Sequence, residues 1–288
     1  RQRLAREWWD EPILRDQIGV RVEGIAGDIT APFFGLNAGD YQYLVERVTH
    51  VINAAADIRL FAPIAELRRT NAGGTQNVLE FSRAVHRDHG LERLSHISTA
   101  CVAGRRTGAV SEEDLSDRSG FLSPYEQSKY EAEQLVRSAA PELPVSIFRP
   151  GMIVGDSRSG AIKSFNTLYY PLRICLTGRF SISPAKPGAK VNLIPVDTVA
   201  KAVVQLSFDP RAVGRTFHLT PPAEDAPTQA QVAAFARDWA RRELGIRLPT
   251  ARFIPLPGGK PAAWIFKQIV GRELSVFADL LPYFQNQP

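Results

Sequence analysis

The chain has 288 residues, 44% hydrophobic and 23% charged, with a formal net charge of +5, the balance of an ordinary soluble globular protein able to bury a large core. No apolar run approaches the ~20 residues that a spanning helix needs, and no signal peptide opens the chain, so a membrane-spanning or exported protein is not expected. Cys101 and Cys175 are too few for a metal knuckle or a disulfide scaffold, and the 28 Arg and 7 Lys are scattered, not striped as in a nucleic-acid binder, so a cytoplasmic protein without nucleic-acid partners is expected.

In chain order, short β-branched runs alternate with longer helical patterns, which predicts an α/β protein with a parallel sheet covered by helices. VRVEGIAGDI (20–29) predicts a strand running into a loop, and VTHVINAAAD (48–57) a second, apolar enough for burial on both faces. Residues 63–85 predict a helix, with Leu67, Val78, Leu79 and Phe81 at helical spacing and Pro63 suited to its first turn. LERLSHISTACVAG (91–104) predicts a third strand ending in small residues. Residues 123–140 predict a helix capped by Ser123 with Pro124 as its first residue. LPVSIFRPG (143–151) predicts a fourth strand, stopped by Pro-Gly.

The rhythm changes over 156–190, where Gly, Ser and Pro punctuate the aromatic-rich FNTLYYPLRICL. A short strand near KVNLIP, a helix from Val196 and a strand in GRTFHLT restore the α/β pattern. From Pro221 onward the chain reads as mostly helical. The expected organisation is a core over 1–220, with an insertion at about 156–190, and a helical substrate-binding lobe over 221–288.

Metal and hydrolase chemistry find little support. His86 and His89 sit at a helix end, where cationic side chains favour the C-terminal dipole. GDSRSG (155–160) is similar to a hydrolase nucleophile block, but no histidine follows an Asp at the D-x-x-H spacing its base requires. A dinucleotide-binding turn needs closely spaced glycines between a first strand and a helix. GIAGDIT (24–30) has G-x-x-G, but Thr30 and Pro32 follow and no helix pattern begins there.

A stronger constellation surrounds the third strand. Ser98 and Thr99 stand at its C-terminal end, the edge where ligands gather in parallel sheets. Tyr125 opens the next helix, and Lys129 lies one turn later on the same face. A tyrosine of ordinary pKa ~10 needs a nearby cation to act as an acid at neutral pH, and Lys129 is within reach. Asn71 lies in the preceding helix, and the small side chains of NAAAD (53–57) end another strand. Taken singly, Thr99 would be a strand cap, Asn71 a turn cap and Tyr125 a rim residue.

In this order the motifs GD (27–28), INAAA (52–56), NAGGTQNVL (71–79), HISTACVAG (96–104), YEQSK (125–129) and RPG (149–151) resemble the extended short-chain dehydrogenases/reductases, over nearly all of residues 20–220. RPGMIVGDSRSG (149–160) and IPVDTVAKAVV (194–204) are most similar to the thioester reductase and fatty acyl-CoA reductase, or male-sterility, group. The resemblance implies a Rossmann-like doubly wound sheet. It implies Thr99, Tyr125 and Lys129 as the catalytic set, with Asn71 supporting the proton relay. Asp28 and Ile29 would flank an adenine; Ala54, Ala55 and Ala56 would line the dinucleotide. Lys129 would also bind the nicotinamide ribose, and Pro150, Gly151 and Ile153 would face the nicotinamide.

The implied reaction is NAD(P)H-dependent reduction of an acyl-CoA or acyl-carrier-protein thioester to aldehyde, in some relatives to alcohol. Upstream adenylation and carrier domains are partners the family admits. RQRLAREWWDEP (1–12) resembles the segment after the family's second strand, so the first β-α-β with its glycine loop is expected upstream of Arg1 and cofactor affinity of residues 1–288 is expected to be poor. Arg3 stands where relatives carry an arginine near the adenosine 2′-phosphate, which favours NADPH over NADH. The competing readings are another extended enzyme of this scaffold, such as a nucleotide-sugar epimerase or dehydratase or a hydroxysteroid-type dehydrogenase, and a non-catalytic dinucleotide sensor. The retained Tyr and Lys argue against the last.

Overall fold

The computed structural model describes residues 15–163, 169, 172, 176, 182–183 and 186–253. Asn37, whose side chain accepts from the Asp40 amide at 2.9 Å, caps α1 (Ala38–Val45). The chain then enters β1 (His50–Asn53) and crosses over through α2 (Ile64–Arg68), a π-helical stretch (Arg69–Gly73) and α3 (Gly74–Asp88). β2 (Arg93–Ile97) leads through a 3-10 turn (Ala100–Ala103) and a long loop to α4 (Pro124–Ala139). β3 (Val145–Pro150) continues almost directly into β4 (Met152–Val154). Next come β5 (Ile182–Ser183), β6 (Leu193–Pro195), α5 (Val196–Ser207), β7 (Thr216–Leu219), α6 (Gln229–Glu243) and β8 (Arg252–Phe253).

Among the described residues the main sheet has four strands, all parallel, in the order β1-β2-β3-β7. β3 is central and buried at every position, as a parallel strand covered on both faces must be. Alternate side chains serve opposite faces: Val145 and Ile147 join Leu94 and the α3 and α4 residues Leu79, Val85 and Val136 in one core. Phe148 joins Ile194, Val199 and Val203 in the other, beneath α5. Helices on both faces of one parallel sheet make the Rossmann-like, doubly wound α/β architecture that the motif order implies. β4 and β6 pair in a small separate parallel sheet, so the backbone leaves the main sheet just past Pro150.

Two expected elements differ. Residues 20–29 are not a strand: a lone bridge joins Ile18 to Val22, and the stretch ends in a turn where the Asp28 amide donates to the Phe34 carbonyl at 2.8 Å. A strand exists only with a ladder partner, and this stretch finds none among the described residues. β1 is not buried on both faces either; among the described residues it pairs only with β2, and Ile52 is 47% exposed. The helix expected over 63–85 forms, with Leu67, Val78, Leu79 and Phe81 buried, but the π-helical stretch interrupts it at Asn71. α6 falls in the tail expected to be mostly helical, with a reciprocal cap between Thr228 and Gln231. Residues 254–288 of that tail lie outside the described residues, as does most of the aromatic insertion.

Candidate active site

Side chains from β2, α4 and the π-helical stretch meet at the C-terminal edge of the sheet. The first two residues of α4 follow directly from its cap: the Ser123 hydroxyl accepts from the Glu126 amide at 3.3 Å, and Pro124 needs no partner for an N–H it lacks. This start places Tyr125 at the sheet edge. The Thr99 hydroxyl, just past β2, accepts from the Cys101 amide at 3.2 Å and lies near enough to the Tyr125 phenol to act on its pKa. Burial, reinforced by the Cys101 thiol and Glu126, pushes the phenol pKa up, and the neighbouring Thr99 hydroxyl opposes this. Tyr125 is therefore a protonated donor at neutral pH. The same burial pushes the Cys101 thiol up to about 11, which leaves it unreactive as a nucleophile.

Lys129 is buried, and its ammonium group donates to the Ile97 carbonyl at 2.8 Å. Desolvation lowers its pKa to about 8, against the opposing pull of Glu133. His96, also buried on β2, is held neutral by desolvation and by the Lys129 charge. Burial outweighs every other influence on these groups, because few charges compensate the lost water.

Asn71 is buried in the π-helical stretch, a conformation often found at functional sites. Its oxygen accepts from the Asp57 amide at 2.7 Å, and its amide donates to the Asp57 carbonyl at 3.0 Å and the Ser128 hydroxyl at 2.8 Å. Ser128 in turn donates to the Tyr125 carbonyl at 2.8 Å. Asn71 thus joins the loop after β1 to the first turn of α4.

The residues expected to line a dinucleotide take several positions along this edge. Ala54 and Ala55 are exposed directly after β1, a shelf bearing only methyl groups. Asp28 is exposed in an Asx turn, accepting from the Thr30 amide and hydroxyl at 2.8 Å. Ile29 packs on Gly74 at the start of α3, and Asn77 donates to its carbonyl at 2.7 Å. Pro150 ends β3, and a Cβ on Gly151 would lie 2.6 Å from the Asn192 carbonyl oxygen, so close pairing of β4 with β6 requires glycine there. Ile153 is partly buried in β4. A small-residue shelf, an exposed carboxylate and a buried cation on one sheet edge fit a dinucleotide. Arg3 lies outside the described residues.

Sequence reading missed the group that organises this region. Glu133, fully buried one turn beyond Lys129, accepts from Arg149, Arg137 and Ser98. Its helical spacing from Lys129 was the available signal. A cavity of about 1150 Å³ lies beside β4, with Val154, Leu193, Leu172, Val232, Phe235 and Trp239 on its walls. No group of three or more His, Cys, Asp or Glu among the described residues could hold a metal ion, and no described helix is long and apolar enough to cross a membrane.

A sequence model of the male sterility protein family, an NAD-binding family, matches residues 1–203. The nonribosomal peptide synthetase asaC of Aspergillus flavus is 31% identical over 246 residues, 81% of this chain and 23% of that protein. The glycine betaine reductase ATRR of Emericella nidulans is 31% identical over 228 residues, 76% of this chain and 17% of that protein. Among solved structures, the terminal R domain from the myxalamid PKS-NRPS biosynthetic pathway superposes with a TM-score of 0.71 at 27% identity, covering 89% of this chain and 61% of that one. The chain therefore spans under a quarter of these two curated relatives. The matched segment, the parallel sheet and the motif order together make the chain a member of the NAD-binding male sterility family of extended short-chain dehydrogenases/reductases.

Proposed function

We propose that the chain is the reductase unit that releases an acyl group from a carrier-bound thioester as an aldehyde, using a nicotinamide dinucleotide. The observation that carries this reading is a buried Lys129, tied to the Ile97 carbonyl at 2.8 Å one helical turn from Tyr125 and beside Thr99 at the edge of a parallel sheet, in a chain related to peptide synthetases and a reductase. NADPH is the preferred cofactor on the argument from Arg3; the thioester handle is a carrier protein or coenzyme A; the reaction belongs in the cytoplasm. Residues 1–220 form the dinucleotide-binding core and 221–288 the substrate lobe.

The dinucleotide, when bound, supplies the hydride. Asp28, Ile29 and Ala54–Ala56 would hold its adenosine half, and Lys129, Pro150, Gly151 and Ile153 its nicotinamide end. Tyr125 and Thr99 would donate to the thioester oxygen, where negative charge develops as hydride adds to the carbonyl carbon, and Tyr125 would deliver the proton to give a hemithioacetal. Its C–S bond would then break, the hydroxyl proton passing to sulfur, to leave the aldehyde and the free carrier thiol. Lys129 stabilises the phenolate left behind. Asn71 holds α4 to the β1 loop so that the phenol stays in place. The cavity beside β4 suits an apolar acyl chain, because its walls are mostly hydrocarbon.

Mixing the full-length protein with NADPH and an acyl-carrier thioester, and following nicotinamide absorbance with capture of the aldehyde, tests the reading. Turnover with thioesters and none with sugar nucleotides is expected; the reverse pattern overturns it.

A further inference from the structure

One carboxylate gathers the frame around the reacting atoms. Glu133 Oε1 accepts from Arg149 Nη2 at 2.7 Å and from Arg137 Nε at 3.0 Å, while Oε2 accepts from the Ser98 hydroxyl at 2.6 Å and Arg149 Nε at 3.1 Å. Two of these partners, Ser98 and Arg149, adjoin candidate functional groups. Ser98 precedes Thr99, and Arg149 precedes Pro150 and Gly151. Glu133 itself is one helical turn from Lys129 and two from Tyr125, on the same face of α4.

The two arginines also fix the loop that joins Thr99 to Tyr125. Arg149 Nη2 donates to the Asp114 carbonyl at 2.8 Å; Arg137 donates to the carbonyls of Glu112 at 2.8 Å and Glu113 at 3.1 Å. His218 of β7 completes the cluster. Its ring lies 3.1 Å from Arg149 Nη1, and its amide donates to the Glu112 carboxylate at 2.7 Å. Side chains are 0% exposed for Glu133 and 1% for Arg149. A buried ion pair of this kind contributes little net stability over a hydrophobic replacement, since desolvation offsets the attraction. Its several directed bonds, among them those to Ser98 and Arg149 beside the candidate site, indicate a role in geometry.

We propose that Glu133 is a positioning residue for the reduction, setting Thr99 through Ser98, the Pro150–Gly151 corner through Arg149, and the electrostatic field at Lys129 along α4. The kinetic part of this inference rests on the reductase reading above; the electrostatic part does not. Lys129 faces Tyr125 and Glu133 on its own helix and neutral His96 and the Ile97 carbonyl on β2. Glu133 faces Arg137 on α4, Arg149 on β3, Ser98 just past β2 and, through Arg149, His218 on β7 with the Glu112 carboxylate beyond. In this arrangement Glu133 is the anion acting on Lys129. Removing its charge favours neutral Lys129, so the alkaline limb of kcat/KM should move to lower pH.

The test compares the parent with Glu133→Gln, Glu133→Asp and Lys129→Met. By urea unfolding, the double-mutant cycle between Glu133→Gln and Lys129→Met should show a coupling at pH 7, where Lys129 is charged, that vanishes at pH 10. This readout needs no turnover. Coupling that is absent, or equal at both pH values, overturns the electrostatic role even if the protein proves to have a different activity. In kinetics with NADPH and an acyl thioester, Glu133→Gln should move the alkaline limb down by about one pH unit. Glu133→Asp keeps the charge on a shorter arm, so the limb should stay while kcat falls about tenfold. If Glu133→Gln fails to fold, Glu133→Asp decides: parental kcat overturns the positioning role. A parent inert with every thioester refutes the reductase reading and leaves the coupling measurement standing.

Discussion

The ammonium group of Lys129 donates to the Ile97 carbonyl at 2.8 Å, tying the middle of α4 to the last residue of β2. That bond fixes the spacing between the helix bearing Tyr125 and the strand end bearing Thr99. It also leaves a cation buried with its pKa lowered to about 8. The site thus combines a phenol that stays protonated with a cation that titrates within reach of ordinary assay conditions.

Tyr125→Phe removes the proton donor and retains the ring. On the proposed mechanism kcat falls by about 10²–10⁴-fold, the usual contribution of a positioned acid, while the fold is unchanged. Steady-state rates with a carrier thioester, alongside circular dichroism, check this; a variant as fast as the parent refutes the acid role of Tyr125.

Activity should depend on the charge of Lys129. In the free protein its pKa is lowered to about 8, so kcat/KM is expected to decline as pH rises through about 8. Stability runs the other way. The unfolded chain holds the proton up to the ordinary lysine range, so it binds more protons than the folded chain between about 8 and that range, and this residue's contribution to stability rises with pH there. Urea midpoints from pH 7 to 10 in the parent and in Lys129→Met separate this contribution from that of other groups.

Asn71→Ala deletes three hydrogen bonds and leaves the Asp57 backbone groups without their side-chain partner. The cost should be about 1–3 kcal/mol, a fall in Tm of roughly 3–10 °C. Calorimetry reads this directly. A Tm unchanged within a degree would show that the π-helical stretch does not depend on Asn71.

Ala236→Trp places a large ring in the cavity beside β4, whose wall includes Ala236. KM for long-chain acyl thioesters should rise at least tenfold, with little change for acetyl thioesters. Equal effects on both would place the acyl chain elsewhere.

Much of the architecture is legible from local pattern. Ser123-Pro124 announces α4, Thr228 with Gln231 announces α6, and the period of Val78, Leu79 and Phe81 announces α3, because caps and periodicity act within a few residues. The proposed set of Thr99, Tyr125 and Lys129 was likewise suggested by order along the chain. Residues 20–29 and the exposure of Ile52 were not, since strand pairing and the covering of a sheet face depend on neighbours far away in sequence. Nor could the chain order reveal that Glu133, Arg149, Ser98 and His218 converge. They come from α4, from β3 and β7 and from just past the end of β2, and only stacking α4 over β2, β3 and β7 brings them within hydrogen-bond distance. By itself the sequence determined the helices that carry clear caps or periodicity and the α/β class. Tertiary structure decided their electrostatics, because burial and convergent charge are properties of the packed molecule and of no single segment.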